Sequence, residues 1–170
     1  MGGKKYMKTK KVARSGITLT IIILSFIFFR GTTSLLGSLI IPLAIYINLH
    51  DFSLGEYLTT ITAAIILVAI FFWTQVLFMI IYGFLAYILS IVVEKNLFLR
   101  IVLLSLTAAL SFIIAIRLTD LLLGTAIQQA LTALMGGTLP GFYLLVLVEG
   151  LIVGVFLSTL GPWLESRLPG

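Results

Sequence analysis

The sequence predicts an all-α membrane protein: a polytopic helical bundle of about six transmembrane helices, with a short or broken second helix. Three observations point there. Apolar residues make up 61% of the 170 and charged residues 10%, against about 25% charged in soluble domains, and mean hydropathy is +1.23. From Tyr57 to Val93 there is no Asp, Glu, Lys, Arg or His for 37 residues. One helix of that length would run about 55 Å, too long for a bilayer core of about 30 Å, so the stretch must cross twice. Finally, the apolar runs are continuous, whereas membrane β-strands alternate apolar and polar residues.

The chain opens with Lys4, Lys5, Lys8, Lys10, Lys11 and Arg14, six of its eleven basic residues. A nucleic-acid-binding tail is one reading of that cluster. The better one is a cytoplasmic flank, residues 1–15, held inside by the positive-inside rule and drawn to anionic headgroups; no nucleic-acid partner is expected. The tail and the apolar run behind it imitate a signal peptide, but no small-x-small cleavage site follows, so the helix is expected to be retained. Met1-Gly2 imitates a myristoylation start. Tyr6 stands where Ser or Thr is needed, which removes that reading.

Helix 1 is expected from Gly16 to Phe29, broken by Arg30-Gly31-Thr32-Thr33. Helix 2, from Leu35 to Leu49, contains Pro42 and is expected to be kinked or partly irregular before His50-Asp51. Helices 3 and 4 divide the uncharged stretch, turning near Trp73, Thr74 and Gln75, and end at Glu94-Lys95-Asn96. Helix 5 runs from about Phe98 to Leu123. After Gly124, Thr125 to Met135 is too short to span and reads as an interfacial helix or a re-entrant loop. Gly136-Gly137-Thr138-Leu139-Pro140-Gly141 is a turn, and helix 6 runs from Phe142 to about Leu160, ended by Gly161-Pro162. Residues 16–163 thus form one membrane bundle and 164–170 a short C-terminal tail.

Six passes put both termini in the cytoplasm and make the protein a multi-pass component of the plasma membrane. Lys95, Arg100 and Arg167 then join the basic tail inside, and Arg30 and Arg117 face outward. In this topology the embedded polar residues gather toward the outer half. Arg30 ends helix 1, Trp73 and Gln75 sit at the helix 3–4 turn, Arg117 and Asp120 lie late in helix 5, and Gln128 and Gln129 follow. Glu149 is eight residues into the last helix, about 12 Å below the boundary. An ionisable group at that depth needs a partner or a wet cavity.

Two readings fit these residues. In one, Arg117 and Asp120, three apart on one face, neutralise each other, Arg30 snorkels outward and Glu149 is hydrogen-bonded or protonated. In the other, Arg30, Arg117, Asp120 and Glu149 line an outward-facing pocket for a small polar or zwitterionic ligand, with Trp73 as a flat wall and Gln75 as a hydrogen-bonding group. Gly150, Gly154 and Ser158 recur every four residues on the last helix, a stripe that admits a close neighbour within the bundle or from another subunit. Gly16 and Thr20 repeat that spacing on helix 1.

Inventory removes several chemistries. There is one His and no Cys, so the usual zinc and haem sites are excluded and no metal or cofactor is expected. No Gly-Lys-Ser/Thr nucleotide loop is present, so any ATP-driven process needs a separate ATPase. No Ser nucleophile elbow stands near a base and no carboxylates pair at catalytic spacing, so the chain is not expected to be an enzyme.

Six passes in 170 residues, the basic N-terminus, the Pro42-broken second helix and an outer pocket resemble the substrate-binding S-components of energy-coupling-factor vitamin transporters. Ile41-Pro42-Leu43 and Leu139-Pro140-Gly141 are the nearest local echoes. The resemblance implies capture of a vitamin-like small molecule from outside, with a transmembrane coupling subunit and two ATPases as partners. Members of that family dock through Ala-x-x-x-Ala on helix 1; here Ala13 is followed by Ile17, and Gly16 with Thr20 is an approximate counterpart. A weaker resemblance, to six-helix rod-shape scaffold proteins of the MreD kind, implies the alternative: a non-catalytic membrane scaffold or assembly subunit that binds partner proteins.

Overall fold

The computed structural model describes residues 3–29 and 35–167, with side chains from residue 9 onward. Seven α-helices make up the described chain and no strand occurs among those residues. They are α1 (Gly3–Phe28), α2 (Leu35–Leu49), α3 (Leu54–Phe71), α4 (Val76–Val92), α5 (Leu97–Leu123), α6 (Ile127–Leu134) and α7 (Leu139–Glu165), with one 3₁₀ turn at Trp73–Gln75 between α3 and α4. Among the described residues five segments are long and apolar enough to cross a membrane: Thr9–Phe28, Leu54–Phe71, Trp73–Val92, Leu97–Leu123 and Leu139–Glu165. With its 15 residues, α2 reaches only about 22 Å.

Local chemistry sets the boundaries. Ser53 and Glu56 form a reciprocal capping box at the start of α3. Asn96 accepts from the Leu99 amide at 2.8 Å to begin α5, and Gly124, at φ 63°, ends it in the left-handed region. Thr138 caps α7.

Both ends of the chain depart from the sequence expectation. The expected tail is helical from Gly3, so the basic residues ride on the first turns of α1; lysine favours helix nearly as well as leucine, so charge alone does not end the pattern. Gly161-Pro162 does not end the last helix either. Gly161 packs on Tyr46 and Leu89, and the helix runs on to Glu165, whose carboxylate is held by α2. Across Pro42, α2 remains a single helix.

The most extensive contact is between α5 and α7, while α4 is flanked by α2, α3 and α5, and α3 leans mainly on α4 and α1. Met79, Leu85, Leu89, Leu104, Ile116, Phe142 and Leu157 fill the centre. The outer surface is equally apolar: Leu121 and Phe98 are each 78% exposed. That pattern suits lipid as solvent, where helix contact comes from close packing and burial from water contributes little.

Candidate functional site

At the end where α1 finishes and α7 begins, the residues expected to share a pocket take separate partners. Arg30 lies outside the described residues. Trp73 projects from the α3–α4 turn, 58% exposed, while Gln75 in the same turn is buried. Arg117 donates to the Tyr143 hydroxyl, and its guanidinium lies 5.9 Å from the centre of that ring. Asp120 accepts from the Thr125 hydroxyl at 2.5 Å and from the amides of Ile127 and Gln128 at 2.8 Å each. It therefore caps α6, and the expected pairing of Arg117 with Asp120 does not form. The amides satisfied by Asp120 are those a helix start leaves without internal acceptors, which draws the carboxylate away from its neighbour on α5.

Glu149 is different. Half-buried on α7, it has one hydrogen bond, from the Ser38 hydroxyl of α2 at 3.4 Å, at the long end of the range. No Lys, Arg or His among the described residues lies within 4 Å of it. The buried Tyr82 of α4 is within its electrostatic reach. Pro42 denies the Ser38 carbonyl its i+4 amide donor. Three helices thus meet at a spot rich in hydrogen-bond acceptors, with no cation within 4 Å of the carboxylate among the described residues.

The glycine stripe is used inside the bundle. A Cβ on Gly150 would stand 2.8 Å from the Ser105 carbonyl oxygen and from the Ala109 amide, and Ser158 is fully buried. The α1 pair is not used so: Gly16 has nothing within 4 Å of a built Cβ, and the exposed Thr20 hydroxyl donates to the Gly16 carbonyl at 2.9 Å.

The opposite end carries a network that the sequence reading missed. Lys11 of α1 pairs with Glu56 at 2.6 Å, and Arg14 pairs with Asp51 at 2.8 Å and donates to the Ile47 carbonyl at 3.2 Å. Both cations lie over the Phe52 ring, at 5.3 and 5.7 Å from its centre. Tyr46 donates its hydroxyl to Glu165, and His50, just past the end of α2, stands 3.6 Å from the same carboxylate. The Ser-x-x-Glu spacing at Ser53 was a signal for Glu56; nothing in the sequence pairs Glu165 with α2. Among the described residues no cluster of His, Asp and Glu could hold a metal ion.

Comparison with protein-family models, with curated proteins and with solved structures finds no match.

Proposed function

We propose that this chain is the substrate-binding integral membrane subunit of a small-molecule transporter, capturing a vitamin-like ligand from the outer side of the plasma membrane. The weakly satisfied Glu149 carboxylate carries the reading. Among the described residues no cation stands beside this embedded carboxylate, a costly state unless something completes it, and a ligand presenting an ammonium or N–H group would do so, with the Ser38 carbonyl as a second acceptor. Arg117 and Asp120 act in this account by fixing α7 and α6, and Trp73 and Gln75 keep the roles the sequence suggests for them, a ring wall and a hydrogen-bonding group.

Orientation follows from charge. Nine of the eleven basic residues stand at the end where α1 starts and α7 finishes, which the positive-inside rule assigns to the cytoplasm. With α2 as a sixth, short crossing, both termini are cytoplasmic and Glu149 is reached from outside. Since the chain has no nucleotide loop, transport requires a transmembrane coupling subunit and ATPases, and the open α1 face at Gly16 and Thr20 is where such a subunit would dock.

The alternative, a non-catalytic scaffold or assembly subunit, is favoured by that same open face and by the capture of Arg117 and Asp120 within the bundle. Native mass spectrometry of gently extracted protein separates the two. Capture predicts a co-purifying small molecule that is lost in Glu149→Gln, a variant that keeps the side chain's shape. No such molecule, together with unchanged thermal stability across a vitamin and metal panel, refutes capture and leaves the scaffold.

A further inference from the structure

Glu149 differs from the other carboxyl groups of the bundle in what surrounds it. Asp120 shows how an ionised carboxylate is held here, with one hydroxyl and two amides donating to it at 2.5 to 2.8 Å. Glu56 takes Lys11 and the Ser53 amide, Asp51 takes Arg14, Glu165 takes the Tyr46 hydroxyl, and Glu94 is exposed. Charged carboxylates collect donors because lone pairs taken out of water need replacements for it. Glu149 has a single such contact, with the Ser38 hydroxyl at 3.4 Å.

Even that contact serves an ionised carboxylate poorly. A hydroxyl has one proton to give, and the buried Ser38 has a closer acceptor, the Leu35 carbonyl oxygen at 2.8 Å. With its proton directed there, the Ser38 oxygen presents lone pairs to Glu149. Two oxygens facing each other in this way need a proton between them, and Glu149 is the group that can carry it.

The surroundings favour the neutral acid as well. Glu149 is ten residues past the start of α7, about 15 Å, which is the middle of a hydrocarbon core about 30 Å thick. Val146 and Val153, one turn to either side on the same face, are buried. The titratable side chain within its electrostatic reach is Tyr82 of α4, whose ring lies 6.3 Å from that of Phe26 on α1 and 6.4 Å from that of Phe112 on α5. A hydroxyl on α2 and aromatic rings on α1, α4 and α5 supply no positive charge. An ionised carboxylate at this depth bears a desolvation cost that the protonated form largely avoids.

We propose that Glu149 carries a proton in the resting protein and is an exchangeable proton site midway through the bundle. The site does not rest on ligand capture. Under the capture reading, a cationic group of the ligand enters as this proton leaves to water, one charge for one, and binding tightens as pH rises. Under the scaffold reading the neutral acid stays closed. Co-purification decides between those two, so either inference can fail without the other.

Infrared spectroscopy of the full chain in lipid vesicles tests the proton directly. The carbonyl stretch of a protonated carboxyl should be present at about pH 6, shift in D₂O, weaken toward about pH 9 and be missing in Glu149→Gln. Dicyclohexylcarbodiimide gives a second readout on the unaltered chain. The O–H of a neutral carboxyl adds across one C=N bond of the reagent, and the resulting O-acylisourea rearranges to a stable N-acylurea with no leaving group. Peptide mass spectrometry should find one adduct per chain, at Glu149, formed at least fivefold faster at about pH 6 than at about pH 9. Absence of a Glu149-dependent band across that range overturns the proposal. So does a band or adduct that appears only in Arg30→Gln, which would mean that Arg30 pairs with an ionised Glu149. Should Glu149→Gln fail to fold, the position of the adduct decides: Glu149 supports the site, and Asp120 in its place refutes it.

Discussion

Gly154 of α7 lies so close to Ser105 of α5 that a Cβ built on the glycine would stand 2.1 Å from the Ser105 hydroxyl oxygen and 2.6 Å from its amide nitrogen. The hydroxyl can rotate away, but the backbone nitrogen cannot. As the α7 position falls from Gly154 to Gly150, the α5 partner advances from Ser105 to Ala109, which is the register of an antiparallel pair brought together by small residues.

Gly154→Ala should therefore destabilise the bundle by about 3 kcal/mol, at the upper end for overpacking, because the two helix backbones must separate. Gly16→Ala on α1, with nothing near its Cβ, should leave stability unchanged or raise it by up to about 1 kcal/mol through helix propensity. Thermal unfolding in a mild detergent compares them. If Gly16→Leu also leaves stability intact but abolishes association with a partner subunit, the α1 face is the docking surface.

Asp120→Ala should release α6. Three hydrogen bonds to one carboxylate are lost, from Thr125, Ile127 and Gln128, and a cost of about 2 kcal/mol is expected for charge-assisted bonds at a helix start. Hydrogen exchange over residues 125–138 reads it directly. Faster exchange confined to that segment is the expected outcome, and Arg117→Ala should not reproduce it.

Tyr57→Phe removes the 2.6 Å bond to the Gly83 carbonyl and nothing else of comparable size. Within a membrane such bonds average about 0.6 kcal/mol. A loss of about 1 kcal/mol or less is therefore expected, with wider α3–α4 spacing measurable by spin labels on the two helices.

Much of this architecture was legible because lipid-spanning helices announce themselves by uninterrupted apolarity. The Leu35–Leu49 helix and the turn at Trp73–Gln75 stand where polarity and length place them, and α5 closes at Gly124 as its turn chemistry implies. The two ends were not legible. Lys4 to Arg14 reads as a tail because charge masks a helix-forming composition, and Pro162 reads as a stop because the clasp of Glu165 by Tyr46 and His50 is a tertiary event. The site was legible as a set of residues and not as a set of pairs. Asp120 and Arg117 are neighbours in sequence, yet the unpaired amides of α6 and the hydroxyl of Tyr143 compete for them from elements that sequence spacing does not place.

Outward access to Glu149 and docking through α1 both depend on the side of the membrane each helix end occupies. The chain contains no Cys, so single replacements report without background. In intact cells, a membrane-impermeant maleimide should label Ala126→Cys at the start of α6, and should label Glu94→Cys, between α4 and α5, only after permeabilisation. Labelling of both positions from the same side, or of Glu94→Cys from outside alone, would contradict the account.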